Sequence, residues 1–305
     1  MLNHHSEVAI PSESYFIPQL WDRYRRQMNT ELLLADLMCC FRVREWGIGV
    51  ADLQRRLADK AGFSEVIQEV YRSYAEARGK YRFGDKTPLY MQYLDLLERV
   101  FPGAQYVHII RDGRDAALSY EGMPYRSRFS LLYPRGISDF AFSWRREILS
   151  AQRFGSTVAA GRYFEIRYES LVAEPETRLR DVCFFLGLQF ESAMLEYYRD
   201  ATWKPDKNHK RLAEPPSLGL TDWRKQMRAV DLERFEAIAG DLLDILGYER
   251  AFPDPSARVR TKALFGCVAS RSRIMSARLV MPMFHRSPLW RWRQNHVLRM
   301  RGAAN

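Results

Sequence analysis

The segment Tyr106-Val107-His108-Ile109-Ile110, followed by Arg111-Asp112-Gly113 and then Ala116-Ala117-Leu118, constrains the fold of this chain more than any other stretch. A nearly continuous run of β-branched and aromatic residues predicts a strand buried on both faces of a parallel sheet. A polar turn and a helix follow, with Asp112 as N-cap and Asp115 at the third helical position. A second unit of this kind starts at Tyr163, where Tyr163–Arg167 reads as a strand. Pro175 then opens a helix carrying Leu179, Val182, Cys183 and Leu186 on one face, and Gly187 stops it. Strands alternating with helices predict an α/β fold with a central parallel sheet flanked by helices.

The remaining elements fill in around these units. From Trp21 to Tyr81, Leu33, Leu37 and Phe41, and then Val66, Val70 and Tyr74, recur at every fourth position, predicting two or three helices. Tyr81–Gly84 is short enough for a strand. Thr87 and Pro88 then supply an N-cap and a first-turn proline for a helix with Leu94, Leu97 and Phe101 inward. Near Asp231 another helix begins, with Leu232, Phe235, Ile238, Leu242 and Leu246 inward and Gly247 at its end. With 305 residues, 47% of them hydrophobic, the chain can bury a sizeable core.

Charge divides the chain. Of its 47 basic and 37 acidic residues, residues 251–305 hold 11 basic side chains and one acid, Asp254, which leaves 36 of each upstream. The tail arginines, among them Arg258, Arg271, Arg291 and Arg301, are interleaved with Phe265, Phe284, Trp290 and Trp292. That mixture suits an anionic membrane surface or a polyanionic acceptor, and suits nucleic acid less well. The alternative is a pair of helices packed on the body with solvated arginines. Four cysteines, two of them adjacent at Cys39 and Cys40, fit neither a disulfide framework nor a metal spacing, so reduced thiols and no metal are expected. No apolar run approaches the length of a spanning helix, and the first residues lack the pattern of an export signal. A cytoplasmic protein, with peripheral membrane attachment through the tail, is the expectation.

Chemistry is concentrated after the Tyr106–Ile110 strand, because ligands of open α/β sheets bind beyond the carboxyl ends of strands. Arg111 offers a guanidinium fork beside a helix N-terminus, and Ser119 adds a hydroxyl on that helix; the natural guest is a phosphate. The competing reading pairs Arg111 and Arg114 with Asp112 and Asp115 in a solvated turn network.

Three runs carry a resemblance: Gly84-Asp85-Lys86-Thr87-Pro88, then Phe101 through Asp115 with Ser119, then Arg167-Tyr168-Glu169-Ser170-Leu171-Val172. In this order they resemble the sulfotransferases that use 3′-phosphoadenosine 5′-phosphosulfate, of the bacterial and protein-tyrosine-sulfotransferase-like branch. The resemblance runs through Pro215–Lys225 and covers roughly residues 1–250, leaving 251–305 as a basic extension. It implies the nucleotide-kinase-like fold of that family and transfer of a sulfuryl group to a hydroxyl of a carbohydrate, lipid, peptide or small metabolite.

By resemblance, Arg111 and Ser119 would hold the 3′-phosphate and Tyr168 would lie beside the adenine or ribose. Trp223 and Arg224 would cover the nucleotide, with Lys210 and Arg211 as alternatives to Arg224. Lys86 would stand at the sulfuryl group, and Glu13, in Pro11-Ser12-Glu13-Ser14-Tyr15-Phe16, would be the general base. His4, His5 and His108 are weaker bases, His108 being read as a core residue. Helices of the 21–81 region and the insert 120–140 would line the acceptor side, where Arg126, Arg128 and Arg135 hint at an acidic acceptor or form an exposed basic loop.

The family's first strand and Arg-Ser-Gly-Thr-Thr loop, which cradles the 5′-phosphosulfate, have no counterpart in these residues. Met1–Ser6 aligns with the end of the helix that follows that loop, so a truncation of on the order of 20 to 30 residues is expected. The alternative is a catalytically inactive binding or scaffold protein with the same fold.

Overall fold

The computed structural model describes residues 1–57, 62–123, 133–199, 214–215, 217, 219 and 221–302. The chain divides into two compact units, one of residues 1–104 with 278–305 and one of residues 105–277.

In the first unit, β1 (Val8–Ala9) pairs in parallel with β2 (Arg82–Phe83), Val8 opposite Arg82 and Ala9 opposite Phe83. Between them lie α1 (Phe16–Tyr24), α2 (Thr30–Cys39), α3 (Phe41–Glu45), α4 (Val50–Arg56) and α5 (Phe63–Glu76). Among the described residues, four helices and the end of α1 thus replace the two or three expected from Trp21 to Tyr81. The break at Cys40, whose backbone is extended, ends α2 before the Leu33-Leu37-Phe41 series is complete. Asn29 caps α2 by accepting the amide of Leu32 at 2.8 Å.

Burial of Val66, Val70 and Tyr74 matches the fourfold spacing. Their helix supplies Tyr71, a fully buried ring packed against Trp46 at 5.3 Å and edge-on to Phe101 at 5.5 Å. The helix expected from Thr87 to Phe101 is two elements: a 3-10 segment Pro88–Tyr93 and α6 (Leu94–Val100), with Leu96 and Val100 as its buried residues. Met1–His5, expected as the end of a helix, holds one 3-10 turn.

The second unit is built on β3 (Tyr106–Ile110) and β4 (Tyr163–Arg167), parallel and in register from Tyr106 opposite Tyr163 to Ile110 opposite Arg167. β3 is not buried on both faces: Ile110 is covered, whereas Ile109 is 53% exposed. β3 feeds α7 (Gly113–Glu121), and α8 (Ile137–Gly155) returns to β4. α9 (Tyr168–Ala173), α10 (Pro175–Leu186), α11 (Trp223–Gln226) and α12 (Ala229–Ile245) follow. α8 packs along α12 through Trp144, Ile148, Phe235 and Leu242.

The tail is helical. α13 (Ala257–Arg286) begins in the second unit, and its residues from Arg278, with α14 (Pro288–Gly302), belong to the first. Within the first unit, Trp290 is buried and donates to Gln19 at 2.8 Å, and Arg291 donates to the buried Asp36 at 2.5 Å. Arg273, in the second unit, pairs with Asp139 at 2.9 Å. The helical pair is therefore present; Arg273 is turned inward, and Arg291 stays partly exposed while pairing with a buried carboxylate.

Candidate active site

In the second unit the chain leaving β3 is held from several sides. The indole of Trp144 donates to the Arg111 carbonyl at 3.2 Å, and the Asp112 amide donates to the Glu169 carboxylate at 2.9 Å. Asp112 caps α7 by accepting the Arg114 amide at 2.9 Å, as the sequence predicts. Gly113 has no room for a side chain: a Cβ there would stand 2.6 Å from both Phe235 and Trp144.

The two arginines of this turn have different fates. Arg114 is buried, grips Asp112 through Nε at 3.0 Å and Nη2 at 2.7 Å, and reaches Glu236 at 2.6 Å. Its guanidinium lies 3.7 Å from the Trp223 ring centre. Burial opposes its charge, but Asp112 and Glu236 outweigh that and raise its pKa. Arg111 makes no ion pair among the described residues. It contacts the Thr221 hydroxyl and lies 4.8 Å over the Tyr168 ring, at the end of β4. The turn network foreseen from the sequence therefore forms around Arg114 and leaves Arg111 without an ion pair among the described residues, although its charge is felt by Asp115.

Asp115, expected within that network, instead accepts the Trp223 amide at 2.8 Å, and loss of hydration raises its pKa. Ser119 lies one turn further along α7, half-buried. Trp223 itself is buried between guanidinium groups, Arg114 on one contact and Arg224 at 4.4 Å on another. Arg224 is exposed and pairs with Glu249 at 2.9 Å. Such exposed pairs contribute little and exchange readily. Lys210, Arg211, Arg126 and Arg128 lie outside the described residues, and Arg135 is exposed. A cleft of about 430 Å³, lined by Leu118, Glu121, Ile137 and Arg228 among others, does not include Arg111 or Tyr168.

In the first unit, parallel pairing of β1 with β2 brings the loops after both strands together, so that Glu13 and Lys86, 73 residues apart, form an ion pair. The loop of Glu13 is fixed by neutral hydroxyls. The Ser14 amide donates to Thr87 at 3.2 Å, Ser14 Oγ meets Tyr90 Oη at 3.1 Å, and Trp46 donates to Ser12 at 3.2 Å. Tyr15 holds a left-handed backbone with φ 55°, and its hydroxyl meets that of Tyr93 at 3.0 Å. Burial raises the pKa of Tyr15, Tyr71 and Tyr90, so these hydroxyls stay protonated.

Sequence reasoning missed Asp85, which accepts the Tyr71 hydroxyl at 2.7 Å. Loss of hydration, with the Glu13 charge adding, pushes its pKa up to about 6. Asp85 keeps one flank open to water. Glu169 was also missed. Both stand inside the runs that carry the resemblance, beside Lys86 and Tyr168, and their adjacency is the signal that could have found them. His108 is a buried strand residue bonded to the Tyr163 hydroxyl at 2.6 Å, as its core reading expects, with a pKa lowered by burial. His5 is buried and accepts the Glu7 amide at 3.1 Å.

The second unit is a parallel-stranded α/β architecture with Arg111 at the carboxyl end of a strand beside a helix N-terminus, the place where open α/β sheets carry their ligands. Residues 1–192 match the sequence model of the sulfotransferase family, and the chain belongs to that family. It is 24% identical over 264 residues to protein-tyrosine sulfotransferase 1 of Danio rerio, covering 82% of this chain and 67% of that protein. Identity to the omega-hydroxy-beta-dihydromenaquinone-9 sulfotransferase of Mycobacterium tuberculosis is 26% over 189 residues, 57% of this chain and 43% of that protein.

An uncharacterized Aquifex aeolicus protein, 28% identical over 162 residues (51% of this chain), is covered over 20% of its length. The fold resembles the sulfotransferase domain of the Synechococcus PCC 7002 olefin synthase, with a TM-score of 0.53 at 20% identity, covering 81% of this chain and 88% of that one. Among the described residues no helix is long and apolar enough to cross a membrane, and no group of three or more His, Cys, Asp or Glu could hold a metal ion.

Proposed function

We propose that this chain transfers a sulfuryl group from 3′-phosphoadenosine 5′-phosphosulfate to a hydroxyl acceptor. The observation that carries the reading is the split between the two arginines of one turn. Arg114 is spent on Asp112 and Glu236, while Arg111 faces Thr221 and Tyr168 with no carboxylate among the described residues paired to it. A phosphate fits that environment, since the guanidinium fork and the start of α7 both favour an anion. Arg111 with Ser119 would hold the 3′-phosphate, and Tyr168 would lie beside the nucleoside.

In the transfer, the acceptor oxygen attacks sulfur in line and the bond from sulfur to the bridging oxygen breaks, releasing adenosine 3′,5′-bisphosphate. The acceptor's proton passes to Glu13, and Lys86 stabilises the charge that develops on the departing oxygens. The Glu13–Lys86 contact supports these roles. We assign this chemistry to residues 1–250, with 251–305 as an extension, and place the protein in the cytoplasm on the strength of its four free thiols. The acceptor is a peptide tyrosine, carbohydrate, lipid or small metabolite.

Calorimetric titration with adenosine 3′,5′-bisphosphate tests the reading. Binding weakened about 10- to 100-fold in Arg111→Ala is expected, the range for losing charge-assisted hydrogen bonds. A folded wild-type chain that does not bind the nucleotide overturns it. Binding with no sulfuryl transfer to any of the four acceptor classes points instead to the inactive, nucleotide-binding alternative.

A further inference from the structure

We propose that the outer face of α13 docks this protein on an anionic lipid surface, independently of the transfer reading. At about 100° per residue, Leu264, Val268 and Met275 fall within roughly 40° of one another on the helix, with Phe265 at the edge of the same face. All four stand in solvent, at 65%, 57%, 56% and 71% exposure. The opposite side holds Val259, Ala263 and Ile274, which are buried, Ala263 in the core of the second unit. The helix therefore already has its inward face, and the outer apolar stripe is additional to it. In the sequence the same spacing continues through Leu279 and Met283.

The stripe is bordered by exposed cations on both sides, Arg260 and Arg271 on one and Arg258 and Lys262 on the other. Arg260 reaches Asp254 at 2.9 Å, but both groups are open to water, so the pair is weak. Arg273, turned inward onto Asp139, is excluded from this surface. An apolar band flanked by arginine and lysine is the arrangement that lies in the plane of an anionic interface, with the rings and aliphatic chains among acyl chains and the cations at the headgroups.

Charge decides among occupants. No Asp or Glu occurs after Asp254, so a second copy of α13 would set these cationic rows against one another without a neutralising partner. A nucleic acid would neutralise the cations and leave four large apolar side chains in water. An anionic bilayer satisfies both requirements.

Co-sedimentation of the full chain with vesicles of phosphatidylcholine alone, and of phosphatidylcholine with phosphatidylglycerol, tests this. Partition onto the anionic vesicles that weakens in high salt is expected. The variant Leu264→Ser/Phe265→Ser/Val268→Ser should partition at least about tenfold more weakly. Arg258→Gln/Arg260→Gln/Arg271→Gln should lose the preference for anionic over neutral vesicles. All six side chains stand in solvent, so both variants should keep the wild-type unfolding midpoint, measured in parallel. Absence of partition by the wild-type chain overturns the proposal, as does partition that neither variant changes. Self-association in sedimentation velocity that the apolar variant abolishes would assign the face to a second copy. Equal binding of single-stranded RNA by wild type and apolar variant, without vesicle partition, would assign it to nucleic acid.

Discussion

The turn after β3 and the loops after β1 and β2 use one device, a polar segment leaving the carboxyl end of a parallel strand, but they are held by different forces. Around Arg111 the scaffold is ionic and buried: Arg114 binds Asp112 and Glu236, and Glu236 also accepts the amides of Ala251 at 3.1 Å and Phe252 at 2.6 Å. Around Glu13 and Lys86 the scaffold is neutral: Thr87, Tyr90 and Tyr93 hold the loop through single hydroxyls. A buried ion network must be complete, because removing one partner strands the other charge in a low-dielectric interior. A set of hydroxyl bonds can be weakened one bond at a time. The two regions should therefore fail differently.

The largest effect is expected from Glu236→Ala. It strips one carboxylate from Arg114 and an acceptor from two backbone amides, at a cost of about 3–5 kcal/mol in unfolding free energy from urea denaturation. A loss near 1 kcal/mol would mean that water replaces Glu236 and that the ionic region is no more demanding than the neutral one. Tyr90→Phe is the matching change in the first unit. It removes the partner of Ser14 and a long 3.4 Å contact from the Ile17 amide, and should cost about 1 kcal/mol. Titration with adenosine 3′,5′-bisphosphate should be unchanged in Tyr90→Phe, since the proposed 3′-phosphate residues all lie in the other region. A weakened titration would break the separation drawn between the two.

The same contrast explains what could be read from the sequence. The β3 turn was legible because its determinants are contiguous: an apolar strand, Asp112 as cap, and helix-forming residues directly after it. Local rules also placed β4, α10 with its Gly187 stop, and α12. The partners that complete the turn were not legible, because Glu236 lies 122 positions from Arg114 and nothing in local spacing links them. The sequence offered one network for both arginines, and only tertiary packing separates Arg114 from Arg111. In the first unit, Glu13 and Lys86 came from resemblance, whereas the hydroxyl scaffold depends on strand pairing across 73 residues and on a left-handed Tyr15, which no propensity predicts. The exposed stripe of α13 was hidden for another reason. Its helix is apolar on two faces, which flattens the periodicity that would mark either one.

The smallest expected effect lies in the neutral scaffold and concerns its one titrating member. Asp85 has an ordinary pKa of 3.8 and is pushed up to about 6 by loss of hydration, with the Glu13 carboxylate adding. Between those values the folded chain keeps a proton that the unfolded chain has released. Its contribution to stability therefore falls as pH rises from about 4 to about 6, and stays low above that. Asp85→Asn cannot ionise, so unfolding free energies measured from pH 4 to pH 7 should shift in the variant's favour as pH rises. Because Asp85 keeps an open flank, the shift should stay under about 1 kcal/mol. Parallel curves for the two proteins would show that Asp85 remains fully hydrated. The first-unit scaffold would then contain a carboxylate as well as hydroxyls at neutral pH, without a penalty for its charge, and the contrast with the Arg114 network would narrow to the burial of the ions alone.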